Sequence, residues 1–321
     1  MVVKVIRYIE DGDGGEPRWG VVHDRRIAPL RCGATSTADF IENGLEAAWR
    51  STADQATLAL DRVTLLPPIT SDRQFLCQGI NYASHVRESG MDPAKIGFNT
   101  LFTKAPSCLA SADADIERPA HVRLLDYEIE LGLVVRKPVT GAVSVGPDRL
   151  HEFLAGVTIV NDITARDVQL PQTQFYKGKS YRTFGPVGPF LVLLNADEWR
   201  RWPELRMRLH VNGQPRQDTY CGDMIFKPHQ TLTELSLMHD LQPGDLIATG
   251  TPAGCAARAP GKLAMWMFRH VLSDAAKWRL FIKKGLSNPA YLQPGDIMTA
   301  SIRSDDGAID LGEQRNAVVA A

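Results

Sequence analysis

Three carboxylates stand two residues apart in the stretch LLDYEIELGLVV: Asp126, Glu128 and Glu130. The stretch alternates as a β-strand does, and side chains at i, i+2 and i+4 of a strand share a face. Three like charges then sit in a row while Tyr127, Ile129 and Leu131 turn the other way. Buried carboxylates are costly unless neutralised. A divalent cation resolves the repulsion, because carboxylates suit Mg²⁺, Mn²⁺ and Ca²⁺. A solvated edge-strand face resolves it equally well, and the strand by itself does not choose.

Four further stretches carry chemistry. In GVTIVNDITARDVQ, Asp162 closes the apolar run Val157–Val160, so a core strand presents a carboxylate at its end. Glu128, Glu130 and Asp162 would supply three oxygens and leave other metal positions to water or substrate; the alternative for Asp162 is a turn or cap residue. In QGINYASHVRESG, a helical turn over Tyr82–Glu88 puts His85 and Glu88 on one face, three residues apart. A carboxylate there fixes the imidazole tautomer for a base that activates water, although most HxxE pairs are surface contacts. In YKGKSYRTFGPVGPFLV, Lys179 reads as a loop lysine, either solvated or placed to stabilise an oxyanion. In GDLIATGTPAG, the glycines and Thr251 follow a strand. They form either a plain turn or a loop whose N–H groups approach an anion.

The elements that must position these residues are mostly strands. Residues 1 to about 70 read as a small α+β domain. KVIRYI and RWGVVHDRRIAPL are its strands, and a helix runs through Ala38–Asn43, capped by Ser36 or Thr37 and broken at Gly44. VTLLPPITSD reads as an extended linker. From FLCQGINY onward the chain is β-rich, with a hairpin turning at Asn212-Gly213 and a helix around Leu232–His239. The fold class is α+β with much antiparallel sheet.

The 321 residues have 44% hydrophobic and 23% charged side chains and a net charge of −1, which disfavours broad binding to nucleic acid or anionic membrane. The opening MVVKVIRYIEDGDGG lacks a signal-peptide core, and no apolar run reaches membrane-spanning length. Cys32, Cys77, Cys108, Cys221 and Cys255 have no CxxC spacing and read as reduced thiols of a cytoplasmic protein.

Taken together, the blocks resemble the fumarylacetoacetate hydrolase family. GINYASHVRE resembles its GxNYxxHxxE segment and DYEIELGLVV its metal-binding ExE strand. NDITARDVQ, GKSYRTFGPVGPFLV, GDLIATGTPAG and the terminal LQPGDIMTASIRSDDGAIDLGEQRNAVV resemble the blocks that follow. The resemblance spans residues 60 to 321 and implies a mixed β-roll C-terminal domain over residues 71–321. It also implies a homodimer holding one Mg²⁺ or Mn²⁺, and a small-molecule keto-acid substrate. By position it makes Glu128, Glu130 and Asp162 the metal ligands, His85 with Glu88 the catalytic pair, and Lys179 the oxyanion stabiliser. Tyr82, Arg166, Gln169 and Thr251 match substrate contacts. Asp126 matches no ligand; it either supports one from behind or faces away.

The activity implied is hydrolytic C–C cleavage of a 1,3-dicarbonyl acid of acylpyruvate or fumarylpyruvate type, in small-molecule or aromatic catabolism. The alternatives are a β-keto acid decarboxylase or tautomerase on the same metal site, and a non-catalytic family member. Two features depart from the family pattern. Arg182 stands where relatives commonly carry an acid, and an insert occupies about 255–290. Leu263, Trp266, Phe268, Leu272, Trp278, Leu280 and Phe281 alternate there with Arg269, His270, Lys277, Arg279, Lys283 and Lys284. This pattern suits one or two amphipathic helices. They either pack on the body or a dimer partner, form a lid, or lie on a membrane surface.

Overall fold

The computed structural model describes residues 2–12, 15–258 and 273–321. Two sheets share one core. Among the described residues the larger has eleven strands, ordered Leu58–Ala59, Arg26–Pro29, Arg18–His23, Val3–Glu10, Leu191–Leu193, Leu154–Asn161, Ile129–Val135, Leu246–Ala248, Phe75–Gly79 and Thr100–Lys104. Val63–Leu66 pairs with Val3–Glu10 from the side. Residues before 70 therefore continue the main sheet, joined where Val3–Glu10 runs antiparallel to Leu191–Leu193. RWGVVHDRRIAPL is two strands rather than one, turning at Asp24, where φ is +55°. VTLL of the expected linker is itself a strand, because it finds an unpaired edge.

The second sheet runs Gln214–Tyr220, Arg206–Val211, Ile297–Arg303, Asp310–Ala320 and Ile116–Arg118. Its hairpin turns at Asn212-Gly213 with both φ values positive, +51° and +74°, as a two-residue turn between twisted strands requires. The sheets are tied by polar contacts as well as by packing. Gln314 Nε2 donates to the Ile159 carbonyl at 3.1 Å, and Gln217 Oε1 accepts from the Ile129 N–H at 3.0 Å.

The helices are short and sit at the margins. Thr37–Asn43 starts on a capping box in which Ser36 and Asp39 exchange side-chain and backbone bonds, and it stops at Gly44. Pro228–Met238 covers the region expected to be helical near Leu232. Asp274–Leu286 is the described helix of the insert. Its Phe281 and Ile282 pack on the main core, and Gly285 lies against Leu124. Leu263, Trp266, Phe268, Arg269, His270 and Leu272 lie outside the described residues, as do Asp13 and Gly14 of the first turn. No described helix is long and apolar enough to cross a membrane.

Ile129–Val135 and Leu154–Asn161 form the heart of the main sheet and are buried throughout. Both faces of the first are covered: Ile129, Leu131, Leu133 and Val135 pack in one cluster and Val134 in another. Neighbours approach so closely that glycine is needed. A Cβ on Gly156 would lie 2.3 Å from the Val192 carbonyl oxygen, a backbone atom that cannot step aside. Gly156→Ala is therefore expected to destabilise the fold by about 1–3 kcal/mol, read as a lower midpoint in urea with an unchanged slope.

Candidate active site and carboxylate cluster

The acidic stretch is not one strand. Leu125–Asp126 pairs with Thr164–Ala165, the chain breaks pattern at Tyr127-Glu128, and Ile129–Val135 then pairs with Leu154–Asn161. The kink separates Asp126 from the other two acids, so the row of three expected from simple alternation is not formed. Asp162, immediately after Asn161, comes to Glu128 and Glu130 instead. It donates its N–H to the Glu128 carbonyl at 2.8 Å, and Asn161 Oδ1 accepts the Glu128 N–H at 3.0 Å. One carboxylate oxygen from each of Glu128, Glu130 and Asp162 lies within 4.8 Å of the others, and all three residues are buried.

Cationic side chains surround this cluster. Lys179 Nζ donates to Glu128 Oε2 at 2.8 Å, to Thr164 Oγ1 at 2.9 Å, and to Asp162 Oδ2. Lys104 Nζ, fully buried, donates to Asp162 Oδ1 at 2.5 Å and to the Phe184 carbonyl at 2.7 Å. Arg166 donates through Nη2 to Glu128 Oε1, through Nε to Asp126 Oδ2 at 2.8 Å, and through Nη1 to Gln169 Oε1 at 3.0 Å. Glu130 alone of these acids has no charged partner among the described residues; it accepts the Gly250 N–H at 2.8 Å.

The electrostatics follow from that inventory. Burial pushes the Glu130 carboxyl well above its usual range, reinforced by Asp162 and Glu128. Burial also pushes Glu128 up, but Arg166 and Lys179 more than offset it and hold it down at about 2. Burial lowers Lys179 and Lys104, yet Asp162 lifts both above the ordinary lysine value. Three clustered oxygens, with one carboxylate lacking a counter-charge, fit an oxygen-binding divalent cation.

The other residues singled out from the sequence divide. Ala83–Glu88 is a helix, within the stretch read as a helical turn, and Tyr82 is its N-cap. Within it His85 and Glu88 make no hydrogen bond to each other. Glu88 Oε2 accepts the Gly254 N–H at 2.9 Å, and His85 Nδ1 is buried without a partner. Burial lowers the His85 pKa, countered by Glu128. Lys179 ends the short helix Phe175–Lys179 rather than lying in a loop, which is why its ammonium points into the core. Thr251 is fixed between the Ile129 carbonyl, to which it donates at 2.9 Å, and Gln217 Nε2, from which it accepts at 2.8 Å. Tyr82 is a core residue whose hydroxyl meets Met207 Sδ at 3.6 Å. Arg182 is exposed. Lys104 escaped sequence reasoning; its only signal was a lysine closing the strand TLFTK before Ala-Pro.

Fold and cluster together define a class: a strand-rich α+β roll with a buried three-carboxylate centre. The model of the fumarylacetoacetate (FAA) hydrolase C-terminal domain matches residues 74–319, and the chain belongs to the fumarylacetoacetate hydrolase family. An uncharacterized protein of Staphylococcus aureus (strain USA300) is 32% identical over 253 residues, which is 78% of this chain and 72% of that one. The solved fumarylacetoacetate hydrolase of psychrophilic Exiguobacterium antarcticum superposes with a TM-score of 0.75 at 31% identity, covering 99% of this chain and 100% of that one. A probable 2-hydroxyhepta-2,4-diene-1,7-dioate isomerase from Mycobacterium abscessus gives a TM-score of 0.71 at 28% identity, covering 100% and 99%.

If a cation is the missing partner of Glu130, it stabilises the folded chain by mass action. At a hundred times its dissociation constant the gain is about 2.7 kcal/mol. Mn²⁺ is expected to raise the melting temperature of the native protein and to leave Glu130→Gln unmoved. Without metal near neutral pH, Glu130→Gln is expected to melt no lower than the parent, because it removes a buried carboxylate that has no cationic partner.

Proposed function

We propose that this protein is a hydrolase dependent on Mg²⁺ or Mn²⁺ that cleaves a carbon–carbon bond in a 1,3-dicarbonyl acid of acylpyruvate or fumarylpyruvate type. The observation that carries the reading is the convergence of Glu128, Glu130 and Asp162 in a buried cluster, with Glu130 short of positive charge. Folding requires no such set, since apolar residues of similar volume would be at least as stable.

Glu128, Glu130 and Asp162 would hold the ion, which when bound would act as a Lewis acid toward the two oxygens of the dicarbonyl. His85 is the base. Its imidazole takes a proton from water as the water oxygen attacks the distal carbonyl carbon. Glu88, which accepts the Gly254 N–H in this structure, would orient the ring on leaving it. Lys179 donates to the oxyanion that develops on the attacked carbonyl. As the C–C bond breaks, its electron pair leaves with the enolate fragment, which is then protonated. The new C–O bond makes the other product a carboxylic acid.

A second reading has its own support. In the resting geometry His85 Nδ1 has no partner and Glu88 is engaged elsewhere, and one structural relative is named an isomerase. A tautomerase or β-keto acid decarboxylase needs enolate stabilisation but no attacking water. Acetylpyruvate, fumarylpyruvate and oxaloacetate, each assayed with and without Mn²⁺, separate the two. Metal-dependent release of pyruvate from the acylpyruvates supports the hydrolase, and turnover of oxaloacetate alone overturns it.

His85→Ala is expected to lower hydrolysis by ~10²–10⁴-fold and to spare oxaloacetate decarboxylation. The base must be neutral, and burial lowers its pKa from 6.5. The acid limb of kcat/KM is therefore expected to fall away only below pH 6.5, and a bound cation would shift it further in the same direction.

A further inference from the structure

Asp126 is fully buried and shares the acidic stretch with two of the cluster residues, but it is turned away from them. Apart from the N–H of its neighbour Tyr127, its hydrogen bonds lead to two places. Oδ1 accepts the Tyr127 N–H at 2.9 Å and the Ala256 N–H at 2.8 Å; Oδ2 accepts the Ala257 N–H at 3.0 Å and Arg166 Nε at 2.8 Å. One direction is the loop after Thr251. The other is the guanidinium that binds Glu128.

Arg166 is engaged through each of its three nitrogens. Nε is taken by Asp126, Nη2 by Glu128 and Nη1 by Gln169. Three of the five guanidinium N–H groups are thus spent on protein acceptors, and the three bonds fix the plane of the group. Its position suits the orientation of Glu128, whose second oxygen is held by Lys179. Ala256 packs in the core and its carbonyl accepts from Asn288 Nδ2 at 2.9 Å, while the N–H groups of Ala256 and Ala257 both go to Asp126. Glu88 holds the same loop one step earlier, at Gly254. Cys255, between these anchors, is buried.

We propose that Asp126 is a positioning residue that fixes the Glu128 carboxylate through Arg166 and ties it to the Ala256–Ala257 backbone, so that the carboxylate cluster and the loop beside it are set as one unit. Its effect on the cluster rests on the reading of that cluster as a cation site; its hold on the loop does not. Arg166 is accordingly a positioning residue as well, acting through Glu128.

The test compares Asp126→Asn with the parent by two readouts, neither of them activity. An asparagine keeps the shape but loses the charge, and its amide nitrogen would face donors from Arg166 or from the loop. Mn²⁺ affinity measured by calorimetry is expected to fall roughly 10- to 100-fold, the usual cost of losing the group that orients a ligand. Peptide-resolved alkylation is expected to find Cys255 labelled at least about tenfold faster, while Cys77 and Cys221, buried elsewhere in the core, stay protected. Unchanged Mn²⁺ affinity and unchanged Cys255 protection would overturn the proposal.

If Cys77 and Cys221 also unmask, the variant has lost its fold and Arg166→Met decides. It should weaken Mn²⁺ binding by a similar factor and leave Cys255 protected, because Asp126 still accepts both loop N–H groups; Mn²⁺ affinity equal to the parent's would refute the relay. Parent protein that binds no Mn²⁺ would defeat the cation reading instead. The alkylation arm would then still show whether Asp126 holds the loop.

Discussion

The structure is organised around a charge balance struck out of water. Glu128, Glu130 and Asp162 are buried together, Asp126 is buried on the far side of Arg166, and Lys179 and Lys104 are buried with them. Each ion pair in such a place sets a large desolvation cost against a large attraction, and the two roughly cancel only where geometry is good and remaining lone pairs are satisfied. The geometry is good at three of the four acids. Asp162 is held on both oxygens by ammonium groups, Glu128 by a guanidinium and an ammonium, and Asp126 by a guanidinium and three backbone N–H groups. Glu130 is the exception, and its raised pKa expresses the imbalance.

Much of the fold can be read as what it takes to keep those groups in place. The carboxylates sit at the ends of the two most deeply buried strands, where backbone positions are fixed by ladders on either side. The kink between Asp126 and Ile129 leaves backbone donors outside the ladder, and side chains from other elements take them: Asn161 takes the Glu128 N–H and Gln217 the Ile129 N–H. Gln217 belongs to the second sheet and also reaches Thr251 and the Pro252 carbonyl. The second sheet thus sets the loop that follows Leu246–Ala248, in addition to covering the core. Thr251 and Arg166, which matched substrate contacts in the family, also tie elements of this chain together.

The metal-type cluster was legible because its signal is local: a two-residue spacing of acids, and one acid closing an apolar run. The helix at Thr37–Asn43 and the hairpin at Asn212-Gly213 were legible for the same reason, since a capping box and a two-residue turn are written in adjacent residues. What could not be read was anything set by partners far apart in the chain. Lys104 meets Asp162 across 58 positions, and nothing around TLFTKAPS marks that lysine as buried. Strict alternation made Asp126 a neighbour of Glu128 on one face; the break at Tyr127 turned it instead toward a loop 130 residues away. The helical turn assumed for His85 and Glu88 is present, but not the bond between them, because Gly254, from another element, takes the carboxylate.

These facts bear on why such a centre persists. A buried acid without a counter-charge lowers the stability of a chain that has little to spare, and a glutamine or an aliphatic residue at position 130 would relieve it. A positive group beside that carboxylate would relieve it as well. Lys179 offsets part of the effect, but its N–H groups bond Glu128, Asp162 and Thr164, and burial with Asp162 and Glu128 outweighs it. Three converging carboxylate oxygens would suit a small divalent ion better than a flexible organic cation.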